Sequence, residues 1–271
     1  MKTFEQLYYC TTRIMVFNGG RVSTGTAFFF NLEIDKKTYP LLITNKHVLF
    51  NKQNCNFQIE LHTSLTQKKI INVNPGFWLF HPTEDLAFIF LGPILNTNLQ
   101  EDEKLENVFL MEKNLVLSKD IAFLDAIEEV IMVGYPKGIY DEFNNFPVIR
   151  KGITSSPLTL NYNGKKQGLI DIALFPGSSG SPVFVYRNYV GGDLRLKNDY
   201  VRFIGVNFQG YSYKNSVIKA SNDFDSVDTF INLALYIKAE CILDFKDTIK
   251  SFEKELSNIN DLVNGVNNDE E

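Results

Sequence analysis

Residues 171–184 read DIALFPGSSGSPVF, an apolar run interrupted by Pro176 and by Gly177-Ser178-Ser179-Gly180-Ser181 before it turns apolar again at Pro182-Val183-Phe184. Gly, Ser and Pro are ordinary turn residues, so a surface hairpin is one account of this stretch. The other is a nucleophile loop, in which Ser179 is the attacking hydroxyl and the tight backbone aims N–H groups at developing negative charge. The remainder of the chain decides between the two.

Outward from that stretch the chain is rich in short apolar runs bounded by Gly, Asn, Pro and Lys. RIMVF, GTAFFFNLEI, YPLLITNKHVLF, FQIELHT, KKIINV, LAFIFLG, EEVIMVGYP and KQGLIDIALF follow one another between Arg13 and Phe175. Strands at this spacing predict a sandwich or barrel and not alternating βαβ units. Turn signals include Asn18-Gly19-Gly20 and Asn74-Pro75-Gly76, and Asn163-Gly164 carries the type I′ hairpin signature. Residues 99–118, LQEDEKLENVFLMEKNLVLS, break the pattern and read as a short helix or a long charged connection between two lobes. Beyond Ser179 the strands resume as SPVFVYR and YVRFIGVNFQG, joined by polar residues 187–200, and a polar excursion covers 211–229. Ile242, Phe245, Ile249, Phe252 and Leu256 recur at helical spacing, which predicts a closing helix before the acidic NNDEE end.

The bulk figures narrow the function. A chain of 271 residues can bury one large β domain or two small lobes. Its net charge of −5, with Lys and Arg dispersed, argues against a nucleic-acid partner. No stretch approaches the roughly 18–20 apolar residues of a membrane span. The best candidate, INLALYIKAECILDF, carries Lys238 and Glu240 in its middle. The N-terminus lacks a secretory pattern, since Glu5 interrupts it and no continuous apolar core follows. Three separated cysteines, Cys10, Cys55 and Cys241, have no metal-ligand spacing and suit a reducing compartment. The expectation is a cytoplasmic protein with no metal or other cofactor.

Only three histidines exist, His47, His62 and His81. His47 ends the apolar run LLITNKHVLF, where packed neighbours can fix an imidazole; a hydrogen-bonded structural histidine is the plain alternative. Asp85 in HPTEDLAFIF directly abuts a strand, which favours it over its neighbour Glu84. A turn-forming role is the plain alternative for it too. The order His47, Asp85, Ser179 is the chymotrypsin-type order of base, carboxylate and nucleophile, unlike the subtilisin or α/β-hydrolase orders. The α/β-hydrolase elbow G-x-S-x-G also fails, because Ser181 stands at its last position. No P-loop, dinucleotide fingerprint or HExxH is present.

These blocks together resemble the trypsin-like serine peptidases of chymotrypsin fold, nearest to bacterial intracellular and HtrA-like members that lack disulfides. GTAFFF, TNKHVL, EDLAFI and DIALFPGSSGSPV carry the likeness, with VGYPKGIYDEF, PVIRKGITSS and FIGVNFQG as weaker blocks. The resemblance implies an all-β fold of two six-stranded antiparallel β-barrels with a C-terminal helix. It divides the chain into residues 1–118 (first lobe and connection), 119–237 (second lobe) and 238–271 (helix and acidic tail), with no PDZ domain following. It implies a serine endopeptidase in which His47, Asp85 and Ser179 are catalytic and the N–H groups of Gly177 and Ser179 form an oxyanion hole. The serine directly before Gly-x-Pro selects Ser179 over Ser178 and Ser181. Ser178 stands where secreted, zymogen-activated relatives carry Asp, so activation through a newly cut N-terminus is not expected. Ala173, Leu174, Phe208, Gln209 and Gly210 would line the primary substrate subsite, which shows no acidic floor and is expected to take a small or apolar side chain. A protein or peptide substrate is implied, together with an activating or regulatory protein partner or control by the loops near 187–200 and 211–229. The alternatives are a catalytically restrained binding module of the same fold and a hydrolase of small acyl compounds.

Overall fold

Three successive phenylalanines, Phe28-Phe29-Phe30, cannot share one side of an extended strand, because neighbouring side chains point to opposite faces. In the computed structural model, which describes residues 1–18, 20–49, 55–116, 124–187, 200–218 and 224–266, Phe28 and Phe30 enter one apolar cluster and Phe29 another. The middle of that strand is buried on both faces, which is why Ala27–Phe30 is an unbroken apolar run.

The first lobe is a sheet of β1 (Thr11–Asn18), β2 (Arg21–Ile34), β3 (Lys37–Thr44), β4 (Asn56–Leu61), β5 (Lys69–Val73), β6 (Leu79–Phe80), β7 (Ala87–Phe90) and β8 (Leu110–Met111). Their order is β5-β4-β1-β2-β3-β7-β6, with β8 added parallel to β2. Six of these strands have four or more residues, and β6 and β8 are two-residue additions. The second lobe is a closed barrel in which β9 (Glu129–Gly134), β10 (Val148–Thr154), β11 (Gln167–Asp171), β14 (Phe224–Lys238), β13 (Tyr200–Ile218) and β12 (Pro182–Arg187) surround one interior. The architecture is therefore the expected all-β, two-lobed, chymotrypsin-like one. A C-terminal helix, α3 (Phe245–Val266), completes it.

Strand alternation sorts the core into three parts. Phe29, Leu42, Phe57 and Ile59 fill the first lobe, and Val130, Met132, Val183 and Val185 fill the barrel. The intervening residues, Phe28, Leu41, Ile43 and Phe88 from one lobe and Ile131, Val133, Phe184 and Phe203 from the other, meet in a shared cluster. Ile242, Phe245 and Ile249 of the C-terminal segment cover it. Each such side chain, once fully buried, contributes about 1.5–3 kcal/mol, so apolar burial holds the lobes together more than the exposed ion pairs Lys37–Glu253 and Lys250–Asp35 that flank α3.

Local expectations from the sequence fare unevenly. Residues 99–116 are a connection containing β8 and a 3₁₀ turn at Glu112–Asn114. The helix lies upstream as α2 (Leu91–Asn98), because Pro93 falls in a first helical turn, where its missing N–H costs nothing. Of the expected polar excursion at 211–229, residues 211–218 and 224–229 are instead paired in a two-stranded ribbon, with Ser212 opposite Phe230 and Ile218 opposite Phe224, and 219–223 lie outside the described residues. Backbone pairing within the ribbon substitutes for an apolar pattern. Asn163-Gly164 adopts the positive φ values of 52° and 73° that its signature requires, closed by Lys165 N–H to Tyr162 O at 3.1 Å. It is not a two-residue hairpin, because it sits within the long connection between the paired strands β10, which ends at Thr154, and β11, which begins only at Gln167. Gly19, residues 117–118 of the first-lobe connection, most of the 187–200 segment and the NNDEE end lie outside the described residues.

Candidate active site

Each of the three residues singled out by chain order lies at an element end. Strands β3 and β7 pair antiparallel with Thr44 opposite Ala87. The short segments that follow β3 and precede β7 therefore emerge at the same edge of the sheet. His47 lies there in α1 (Lys46–Leu49), a single turn whose Val48 and Leu49 anchor it in the first-lobe core. Asp85 stands opposite. Its Oδ1 accepts the backbone N–H of His47 at 3.0 Å, and its Oδ2 lies 2.5 Å from His47 Nδ1. Asn45 Nδ2 donates to the Asp85 carbonyl at 2.8 Å, tying the two segments from the other side.

From the second lobe, Ser179 Oγ comes within 2.8 Å of His47 Nε2. The carboxylate on Nδ1 fixes that nitrogen as the N–H donor, so Nε2 is left as the acceptor of the serine proton. The rivals are placed differently. Ser178 and Ser181 have buried hydroxyls with no hydrogen-bond partner among the described residues. Gly134 leaves room for Ser181, since any side chain at Gly134 would strike the Ser181 hydroxyl. Glu84 is engaged through its backbone with His81 and Leu86.

The other histidines have structural tasks. His62 is buried between Tyr9 and Phe146, with Nε2 donating to Asn145 O at 3.0 Å. Its pKa is held below the usual histidine value mainly because burial disfavours the charged ring. His81 is also buried, and its Nδ1 accepts the N–H groups of Thr83 and Glu84. That contact orders the turn which presents Asp85, a role the sequence did not signal.

Three of the five N–H groups in the serine turn are committed. Ser178 N donates to Phe175 O, Gly180 N to Asn207 O and Ser181 N to Ser178 O. The N–H groups of Gly177 and Ser179 have no acceptor among the described residues. Gly177 has φ +92°, and a Cβ there would come within 2.5 Å of the Tyr135 carbonyl. Gly180 has φ +86° and lies against the Thr26 carbonyl and the Thr44 hydroxyl. Only glycine satisfies both the backbone angle and the space at these positions.

Around the expected substrate subsite, Ala173 is exposed and Leu174 is buried in the barrel interior, where it lies over Gly210. Gln209 is exposed, and Phe208, at an irregularity in the β13–β14 register, packs against the shared inter-lobe cluster. Arg150, which sequence reasoning passed over, reaches this corner from β10. Its Nη1 donates to Ala173 O at 2.5 Å. Nothing in the local sequence marks it, because the contact depends on barrel closure. Among the described residues, no three His, Cys, Asp or Glu side chains are grouped to hold a metal ion, and no helix is long and apolar enough to cross a membrane.

Comparison with known proteins bears on this geometry. The family model of the trypsin-like peptidase domain matches residues 25–192. No curated protein sequence matches the chain. Among solved structures, it is similar to a catalytically inactive tobacco etch virus protease complexed with substrate, at TM-score 0.50 and 12% identity, covering 93% of this chain and 87% of that one. It is also similar to the thermostable serine protease AL20 from an extremophilic microorganism, at TM-score 0.48 and 12% identity over 90% and 98% of the two chains. A serine endoprotease from Yersinia pestis gives TM-score 0.46 and 13% identity over 94% and 66%. At its 12% identity and TM-score of 0.50, the first of these shows a likeness of fold alone.

Proposed function

The chain belongs to the trypsin-like peptidase domain family, and from that membership we propose that it hydrolyses peptide bonds of a protein or peptide substrate through a Ser179–His47–Asp85 triad and an acyl-enzyme intermediate. The observation that carries the reading is the unbroken hydrogen-bond line from Asp85 Oδ2 through the His47 ring to Ser179 Oγ, at 2.5 and 2.8 Å.

A neutral serine hydroxyl is a weak nucleophile, so its proton must leave as the new bond forms. His47 Nε2 takes that proton while Ser179 Oγ attacks the scissile carbonyl carbon. The carboxylate of Asp85 keeps the ring in the required tautomer and stabilises the imidazolium that results. The carbonyl oxygen, now an oxyanion, is received by the uncommitted N–H groups of Gly177 and Ser179, each such donor contributing about 3–4 kcal/mol in comparable sites. Collapse of this intermediate breaks the C–N bond, and the amine leaves with the proton carried on Nε2. Water then repeats the sequence, with His47 as base, to release the acid and restore Ser179.

An activity-based fluorophosphonate tests this directly, because it phosphonylates a serine already activated by a base, with fluoride as the leaving group. Labelling of wild type, its absence in Ser179→Ala, and digestion of unfolded protein by wild type alone are the expected results. A wild-type chain that neither takes the label nor cuts unfolded protein overturns the proposal.

A further inference from the structure

In the register of β9 and β10, Arg150 lies opposite Met132 and Lys151 opposite Ile131. Directly opposed residues of an antiparallel pair project to the same face. Met132 belongs to the interior cluster of the barrel, whereas Ile131 belongs to the inter-lobe cluster. Arg150 therefore stands on the inner face of the barrel, where a strand otherwise carries apolar side chains, and points to the end of the barrel beside the serine turn. Its guanidinium is anchored by the Ala173 carbonyl and stacked on Phe175, with Cζ 4.8 Å from the ring centroid. Both residues belong to the segment leading directly into Gly177 and Ser179.

The cation has no partner of opposite sign among the described residues. Among the described residues, Arg13 pairs with Glu60, Arg187 with Glu128, Lys69 with Glu103 and Lys151 with Glu129, but no carboxylate reaches Arg150. Burial already disfavours its charged form. Asp171, on the neighbouring strand, is exposed and makes no ion pair with it. A second cation, Lys137, lies on the same Phe175 ring, its Nζ 5.6 Å from the centroid. Lys137 is likewise without an ion-pair partner among the described residues. An arginine with one of its five N–H donors fixed to a carbonyl presents the remaining fork to a planar anion. The apolar corner of the same subsite is already occupied by Leu174 over Gly210.

We propose that Arg150 is the specificity-determining residue of the primary subsite and that the substrate carries Glu or Asp immediately before the scissile bond. This replaces the small or apolar side chain expected from the sequence, and it rests on the peptidase reading above. The side-chain carboxylate docks on the free edge of the guanidinium, with Lys137 adding long-range attraction. A charge-assisted hydrogen bond of this kind is worth about 10- to 100-fold in discrimination.

The test is a set of peptides differing only in the residue before the cut, assayed with wild type, Arg150→Ala, Arg150→Lys and Arg150→Glu, alongside fluorophosphonate labelling of each. Expected is wild-type cleavage after Glu and Asp, loss of about 10- to 100-fold of that preference in Arg150→Ala, partial retention in Arg150→Lys, and a shift toward Lys and Arg in Arg150→Glu. The shift is a gain that a misfolded variant cannot produce. Wild type that takes the label yet cleaves after apolar or basic residues, or not after acidic ones, overturns the subsite while leaving the peptidase reading intact. Wild type that neither labels nor cleaves removes both.

Discussion

The hydroxyl of Thr26 donates to the carbonyl of Gly177 at 2.9 Å and accepts the N–H of Tyr135 at 3.1 Å. Thr26 lies on β2 of the first lobe, so a strand of one lobe holds the serine turn of the other. The backbone adds a second tie, with Thr26 N–H donating to Ser179 O at 2.9 Å. The aim of the Gly177 and Ser179 N–H groups is thus set partly from across the lobe boundary. Thr26→Val keeps the shape but removes the hydroxyl, leaving a buried carbonyl and a buried N–H unpaired. Loss of about 1–3 kcal/mol is expected. Urea unfolding reads the stability, and turnover should fall with little change in KM. An unchanged unfolding midpoint together with unchanged turnover contradicts the tie.

Asp85→Asn should lower kcat by roughly 10⁴-fold at neutral pH, because the amide can donate to Nδ1 and stabilise the wrong imidazole tautomer. A Ser179→Ala, His47→Ala double variant should be no slower than either single one, since each removes the same machinery. Steady-state rates on one peptide decide both points. Rates that multiply across the two substitutions speak for independent roles and against a triad.

Gly177→Ala places a methyl group against the Tyr135 carbonyl on a backbone with φ +92°, so the peptide must rotate. On the proposed mechanism one oxyanion donor is then misdirected, and acylation should slow by about 10²- to 10³-fold. Stopped-flow measurement of the acylation burst isolates that step. A normal burst in a folded variant rules this N–H out of the oxyanion site.

His62 links pH to stability. Its folded pKa lies below the ordinary 6.5, chiefly through burial. Below about pH 6.5 the unfolded chain therefore binds more protons than the native one, and stability falls as pH falls. The contribution is fully present above the unfolded value and is lost as pH drops through the folded one. Unfolding curves at pH 7.5, 6 and 5 should show wild type losing more stability than His62→Gln over this interval. Equal losses in the two chains would falsify the assignment.

What was readable from the chain alone follows from which interactions are local. Phe28-Phe29-Phe30, Leu41-Leu42-Ile43 and Val183-Phe184-Val185 announce strands buried on both sides, because period-two alternation and β-branched or aromatic content act within a few residues. The Asn163-Gly164 turn was equally plain, since positive φ favours Gly and Asn, whereas the Asp35-Lys36 turn between β2 and β3, also at positive φ, carries neither residue. The ribbon of β13 and β14 was not readable, because its polar stretches are strands by virtue of pairing with each other and not by burial.

For the site, residue type and chain order singled out His47, Asp85 and Ser179 from a field of three histidines and several serines and acids, because general-base chemistry draws on few side chains. The family resemblance already favoured Ser179 over Ser178 and Ser181, but tertiary structure alone brought its hydroxyl to the imidazole. It alone gave His81 the task of shaping the Asp85 turn, Thr26 the hold on Gly177, and Arg150 its place on the inner face of the barrel. The physical reason is common to all four. Hydrogen bonds and desolvation act through space over a few ångströms, and the residues they join lie on strands that the sequence keeps far apart until the two sheets close.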